Sequence, residues 1–570
     1  MFQFKSAWPL KSVLAVSAFL TAFTCASDLY ADGGPGSGLK ILEKAPQEPV
    51  IKQENKPPID SNLLTHKRKI LVKKFRITGN TLLSNSELAT VVAPGEGKEL
   101  TVEDIRTIAD LITAKYRDAG YLIANAYVPV QSIIDGTVLI KVVEGKIGDI
   151  SVTGNKSYST PFIMRHLSVL KENDTTLQED TAERQLLLLN DYPSLSVKAS
   201  LKAGKDPGTT DIIATVDDSF PISGSLMYDN YGVKTTSKNR LVGALNLGNL
   251  LFSGDQVMLR GLIGLDTIDL NKLSYGRAEY SVPLGGGGTR IGGYYTNSVY
   301  AAGEVLSPLE IDGDAKIAGV YVSYPIIKKR DETLTLQLSG DYASVKNNVL
   351  GELDNNDEIR KVSFNASYDL TDRWLGRNFF GFNYSRGLGE LFGGTKKEDF
   401  KSTSTKDGNT FNKITIDAMR IQKLPGYNQL NARISGQYSP EKLFLAEQFI
   451  LGGVGTVRGF DPSKIGGDSG FLTTLELLSS PLFPESYILK QKVGNSFKLA
   501  FFADYGYVFR NNPDKSTGLK NSDYLLSLGS GIRLFGWNIF SAKLDWAVPY
   551  ENSKFDIKNS MTNIQAGFSF

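Results

Sequence analysis

The chain has 570 residues, and its 63 lysines and arginines nearly balance 61 aspartates and glutamates, leaving a formal net charge of +2. With no basic tail, that balance offers no electrostatic footprint for nucleic acid. The single cysteine, Cys25, excludes a disulfide framework and thiolate metal sites, and no metal or cofactor is expected.

Lys5 and Lys11, an apolar run over 13–23 and small residues after it read as a secretory signal over 1–31, cleaved after Ala26 or Ala31. Cys25 then leaves with the signal; Phe23 and Thr24 are poor residues before a lipidated cysteine. Residues 32–69, punctuated by Gly33, Gly34, Pro35, Pro46, Pro49, Pro57 and Pro58, read as a linker or plug segment. Beyond the N-terminus no apolar run is long enough for a membrane helix, so any crossing must use strands.

Residues 70–145 read as a small α+β domain: a strand over 70–78, helices over 85–91 and 101–119, and strands over 122–128 and 137–143. Residues 146–219 repeat that order, with strands over 147–153, 195–201 and 210–216 around two helices. Thr176 and Glu179 are spaced as a capping box at the start of the second helix. Both copies open on a Thr-Gly-Asn step, at 78–80 and 153–155, which marks an internal duplication. With the last strand central, the second strand of each copy is an exposed edge able to take an incoming strand: Leu122, Ile123, Ala124 and Tyr127 in the first, Leu195 and Val197 in the second.

From residue 220 to 570 helical patterning stops and alternating segments follow. Phe540, Ala542, Leu544, Trp546 and Val548 share one face, while Ser541, Lys543, Asp545 and Ala547 share the other. Gly, Ser and single charges on the inner face suit a water-filled lumen, and about sixteen such segments predict a transmembrane antiparallel β-barrel. The last strand places Phe568 and Phe570 outward with Ile564 and Ala566, as a closing strand would.

Two motifs stand out. Val457-Arg458-Gly459-Phe460 lies in a Gly-rich stretch, 452–470, between the eleventh and twelfth strands. Phe502, Asp504 and Gly506 share the inner face of the thirteenth, so Asp504 points into the lumen. A long loop folding inward would bring Arg458 to Asp504 in a charge-assisted, bidentate pair. The alternative is a solvated surface loop and an unrelated lumenal carboxylate; spacing alone does not choose.

These motifs in this order, behind a duplicated unit and before a terminal Phe, resemble the two-partner secretion (TpsB) transporters. That family belongs to the outer-membrane superfamily that also holds the β-barrel insertases. The resemblance implies two POTRA domains in the periplasm of a Gram-negative (diderm) bacterium and an outer-membrane barrel opening at Asp229-Asn230-Tyr231-Gly232. It makes Arg458 the loop arginine, Asp504 its partner and the two edges client-binding strands. It also makes Phe568 and Phe570 the assembly signal for the barrel assembly machinery. The implied function is secretion of one dedicated, unfolded partner protein, such as a haemolysin or adhesin, driven by the client folding outside. The alternative is an insertase, against which two POTRA-like units argue. The family often plugs its pore with an N-terminal helix, for which 32–69 has little pattern. Catalysis is not expected, because His66 and His166 both lie outside the barrel and supply no Ser–His pair there.

Overall fold

The computed structural model describes residues 51–53, 69–171, 176–404, 407–483, 487–488, 491–492, 496–513, 518–536, 539–551 and 553–570. The expected signal and most of the expected linker lie outside them. The chain divides into two compact units, an α/β unit over 46–221 with 284–288 and a barrel over 222–283 and 289–570.

In the first half of the α/β unit, strand Thr137–Val143 is central, parallel to Lys74–Thr78 and antiparallel to Asn125–Tyr127. Helices Asn85–Val92 and Val102–Asp118 bury Leu88, Ile105, Ile112 and Tyr116 against this sheet. Ser84 with Glu87, and Thr101 with Asp104, form reciprocal capping boxes that fix where the two helices begin. The second half repeats the arrangement with Thr209–Asp218 between Lys146–Thr153 and Leu195–Ala203, under helices Thr160–Leu167 and Glu179–Asn190. The capping box expected from Thr176 and Glu179 does not form. The helix starts at Glu179 with no side-chain cap, and the Thr176 hydroxyl donates instead to the Gly145 carbonyl at 3.1 Å.

The repeated Thr-Gly-Asn step has a common physical cause. Gly79 (φ +85°) and Gly154 (φ +90°) pass so close to the central strand that a Cβ would lie 2.3 Å from the Val142 carbonyl oxygen and 2.4 Å from that of Val216. Only glycine tolerates both the turn and the approach. The following Asn80 and Asn155 amides donate to the Leu83 and Tyr158 carbonyls, closing each turn onto the next helix. A carboxylate just beyond or at the end of the central strand then collects the turn's free N–H groups. Glu144 accepts from the backbone of Thr81 and Leu82 and the hydroxyls of Thr81 and Tyr116; Asp218 accepts from the backbone of Lys156, Ser157 and Tyr158. The duplication is thus retained at the level of side-chain function within the turn.

His166 is fully buried among Phe162 and Tyr192, its Nδ1 3.1 Å from the Phe162 carbonyl oxygen and its Nε2 3.4 Å from the Tyr192 hydroxyl. Burial, against the pull of that carbonyl and with the push of Arg165, holds its pKa below the ordinary 6.5. Below that value the unfolded chain binds the proton more readily than the folded one, so stability falls as pH drops through 6.5. Hydrogen exchange of the second half is therefore expected to lose protection as the pH falls below about 6.5. His166→Phe should abolish that slope; an unchanged slope would contradict the assignment.

In the barrel, sixteen antiparallel strands close among the described residues, from Ile222–Asp229 to Met561–Ser569, which pair with each other. The expected count holds. Phe568, Ile564, Trp546 and Phe501 are exposed outward, while Asn563, Asp545 and Asp504 are buried inward, the alternation that lipid outside and charge inside demand. The Phe570 and Gly224 backbones exchange two hydrogen bonds at 2.9 and 3.0 Å, sealing the seam to its last residue. Strands Asp312–Lys328, Glu332–Val349 and Glu352–Thr371 run to 17, 18 and 20 residues. That exceeds the roughly 9–11 needed to cross a bilayer, so these three stand past one rim as a raised wall.

Candidate functional site

Between strands Gln429–Tyr438 and Ser469–Leu478 the chain makes a long excursion, stiffened by a hairpin of Phe449–Leu451 with Ile465–Gly467. Its tip is compact. Thr456 bonds both backbone groups of Gly452, and the Gly453 N–H donates to the Phe460 carbonyl at 3.1 Å. The tip lies inside the barrel unit, where Arg458 is only 6 % exposed and Asp504 fully buried.

Arg458 donates through Nε to Asp504 Oδ2 at 2.7 Å and through Nη2 to Oδ1 at 2.9 Å, and its backbone N–H reaches the same carboxylate at 3.1 Å. Of the two readings that spacing left open, a bidentate pair or a solvated loop, the geometry is that of the pair. The structure adds what the sequence did not assign. Arg458 Nη1 also donates to Glu476 Oε2 at 2.8 Å and lies 3.7 Å from Asp545 Oδ2. Arg533 holds the same two acids, with Asp545 at 2.6 Å and Glu476 at 2.9 Å. Two guanidiniums thereby share three carboxylates, and Lys543 stands directly across from Arg533 in the strand register. Charges this buried need such full pairing, and removing one partner of a buried set costs about 3–5 kcal/mol.

Each remaining motif residue has a geometric task. The Phe502 ring lies flat under the Arg458 guanidinium, 3.4 Å from its carbon to the ring centroid. Gly506 leaves room for Leu451 and Val457, since a Cβ there would fall 2.6 Å from Leu451 and 3.1 Å from Val457. Val457 and Phe460 are buried with Leu451, Leu472, Val508 and Leu525, which seats the tip apolarly beside its ion pairs. Gly459 turns at φ +87° against Ala547. Arg533 and Asp545 were recognisable as inner-face residues; their link to Arg458 needed the register of four strands.

The expected strand-accepting edges are corrected in two ways. In the first half only Asn125–Tyr127 is strand; Leu122 and Ile123 pack against the core of the second half, and Ala124 is buried in its own. The Leu122 N–H donates to the Leu177 carbonyl at 3.2 Å, so this stretch joins the two halves and leaves Tyr127, 40 % exposed, on the edge. In the second half the edge is not open. Ile51–Gln53 runs parallel to it, pairing with Ala199, Ser200 and Leu201. The Asn190 side chain takes both backbone groups of Val197, at 2.6 and 3.2 Å, and the Leu195 and Val197 side chains point into the core. The physical reason is the one that suggested the edge: unpaired backbone groups recruit whatever strand or amide is nearest.

A tandem α/β unit and a closed sixteen-stranded barrel, with an arginine loop bound to the barrel wall, are the architecture of an outer-membrane barrel protein. Residues 208–534 match the family described as haemolysin secretion/activation protein ShlB/FhaC/HecB, and residues 70–145 match the ShlB-type POTRA domain. The chain belongs to this family, the two-partner secretion transporters, which export a partner protein across the outer membrane. It is 25 % identical over 96 % of both chains to the heme/hemopexin transporter protein HuxB of Haemophilus influenzae strain 86-028NP. Its fold is similar to that of CdiB from Escherichia coli, at 19 % identity and a TM-score of 0.69, with all of both chains covered. A BamA from Haemophilus ducreyi lacking POTRA domains 1–3 is more distant, at 14 % identity and a TM-score of 0.51 over 88 % of this chain and all of that one. The family match supports a transporter over an insertase.

Proposed function

We propose that this transporter exports one dedicated, unfolded client, captured in the periplasm by strand addition and passed through the lumen in a cycle that needs the Arg458 loop both to leave its seat and to return to it. The observation that carries this reading is the strand Ile51–Gln53 seated on Ala199–Leu201. An edge that takes a strand from its own chain can take one from a client, and only one can be there at a time. Residues 1–31 then serve as an export signal, 146–219 as a second POTRA domain, and Phe568 with Phe570 as the barrel's assembly signal. Catalysis has no part in it; the client's folding outside draws the chain across. The likeness to HuxB over nearly its whole length favours a client that handles heme or hemopexin.

The test is to fix the internal strand in place. Lys52 and Ser200 are register partners, so Lys52→Cys with Ser200→Cys should form a disulfide in the oxidising periplasm. Export of the client is expected to stop in the bridged protein and return with reductant. Undiminished export with the disulfide formed would contradict competition at this edge.

A further inference from the structure

The loop that carries Arg458 is held at a second point. Glu447, near the loop's outgoing root and 7 % exposed, meets Lys361 at 2.5 Å through Oε1 and Lys413 through Oε2. Lys361 lies on strand Glu352–Thr371 and Lys413 on Asn412–Lys423, a different sector of the wall from the strands bearing Glu476, Asp504 and Asp545. The Glu447 carbonyl also accepts from Gln437 at 3.0 Å, and that amide reaches the Asp468 carbonyl at 3.1 Å, tying the two roots together. The polarity is inverted between the two points: a loop cation meets wall carboxylates at the tip, and a loop carboxylate meets wall cations at the root.

We propose that Glu447, Lys361 and Lys413 form a second latch on the loop, so that clearing the lumen requires both latches to open. Two features make this contact a latch and not only a strut. First, it borders a lumenal cavity of about 670 Å³ that also reaches loop residues Gly452 to Thr456, so the freed loop has space to move. Second, Lys361 has an alternative acid: Asp341 is directly across from it in the strand register, so release of Glu447 leaves one of its two cations with a carboxylate to turn to. The inference rests on the reading that the loop moves during export, and its test uses the resting protein so that the two can fail separately.

The test is a spin label on the exposed Lys464, as Lys464→Cys with Cys25→Ser, in the full chain reconstituted in lipid. Glu447→Gln keeps the shape but loses the charge. It is expected to raise the mobile fraction of the label on the order of tenfold, as loss of a charge-assisted bond would, and to produce larger openings in planar bilayers. An unchanged spectrum and unchanged conductance would overturn the proposal. If Glu447→Gln fails to insert, Glu447→Lys with Lys413→Glu decides. Recovered insertion with a wild-type spectrum supports the latch, and no recovery counts against it.

Discussion

Arg458→Ala is expected to leave the barrel inserted and to reduce export to a trace. The reason lies in how the charges are shared. Without Arg458, Arg533 still holds Glu476 and Asp545, so the wall keeps its pairing and the strands stay closed. Asp504 alone loses its cation, and the tip loses two side-chain hydrogen bonds to that carboxylate and one to Glu476, keeping only the bond from its own backbone N–H. Breaking a buried pair shifts such an equilibrium by about 3–5 kcal/mol, more than a hundredfold in the fraction of seated loops. Heat-modifiability of the barrel and client in the medium check the two halves of the prediction. Exchanging the charges, Arg458→Asp with Asp504→Arg, should recover only part of the export. A new arginine at 504 regains one partner, but an acid at 458 faces Glu476 and Asp545 in place of pairing with them. Wild-type export by Arg458→Ala would remove the loop from the mechanism.

Gly529→Val should reproduce that defect with every charge intact. A Cβ at Gly529 would fall 2.2 Å from the Phe502 ring, so the ring must swing away from the Arg458 guanidinium it supports. Overpacking of this kind costs about 1–3 kcal/mol, less than the pair itself, so export should fall by roughly ten- to a hundredfold with the barrel still inserted. A second change, Phe502→Ala, removes the ring clash but not the approach of the Trp546 carbonyl, 2.5 Å from the same Cβ, so it should restore export only in part and to no more than the level of Phe502→Ala alone. If Gly529→Val exports normally, the ring's position under Arg458 has no consequence.

The parts of this molecule visible in its sequence were those with a local period. Alternation placed Asp504 inward from its own strand, and helical spacing with Gly-Asn turns exposed the duplicated unit. The barrel's count followed from the same signal repeated. What escaped was non-local. Glu476 carries no motif, and its meeting with Arg458 depends on how strands from Ser469–Leu478 to Phe540–Glu551 align and on where a loop tip comes down. Leu122 and Ile123 show the same apolar texture whether they face solvent or a neighbouring core, so the edge was overextended by a pattern that does not say what covers it. Ile51–Gln53 is three residues without period, made into a strand by its partner. Thr176 had the spacing of a cap, but the Gly145 carbonyl offered its hydroxyl a better-placed acceptor.

If this chain exports one client, that client leaves the medium when the chain is removed. Quantitative mass spectrometry of the medium and the outer membrane, in cells with and without the protein, tests it most directly. Disappearance of a single large polypeptide from the medium, with the other outer-membrane barrels at unchanged levels, is the predicted result and would identify the client. A general loss of barrels from the membrane would contradict the account and make the chain an insertase.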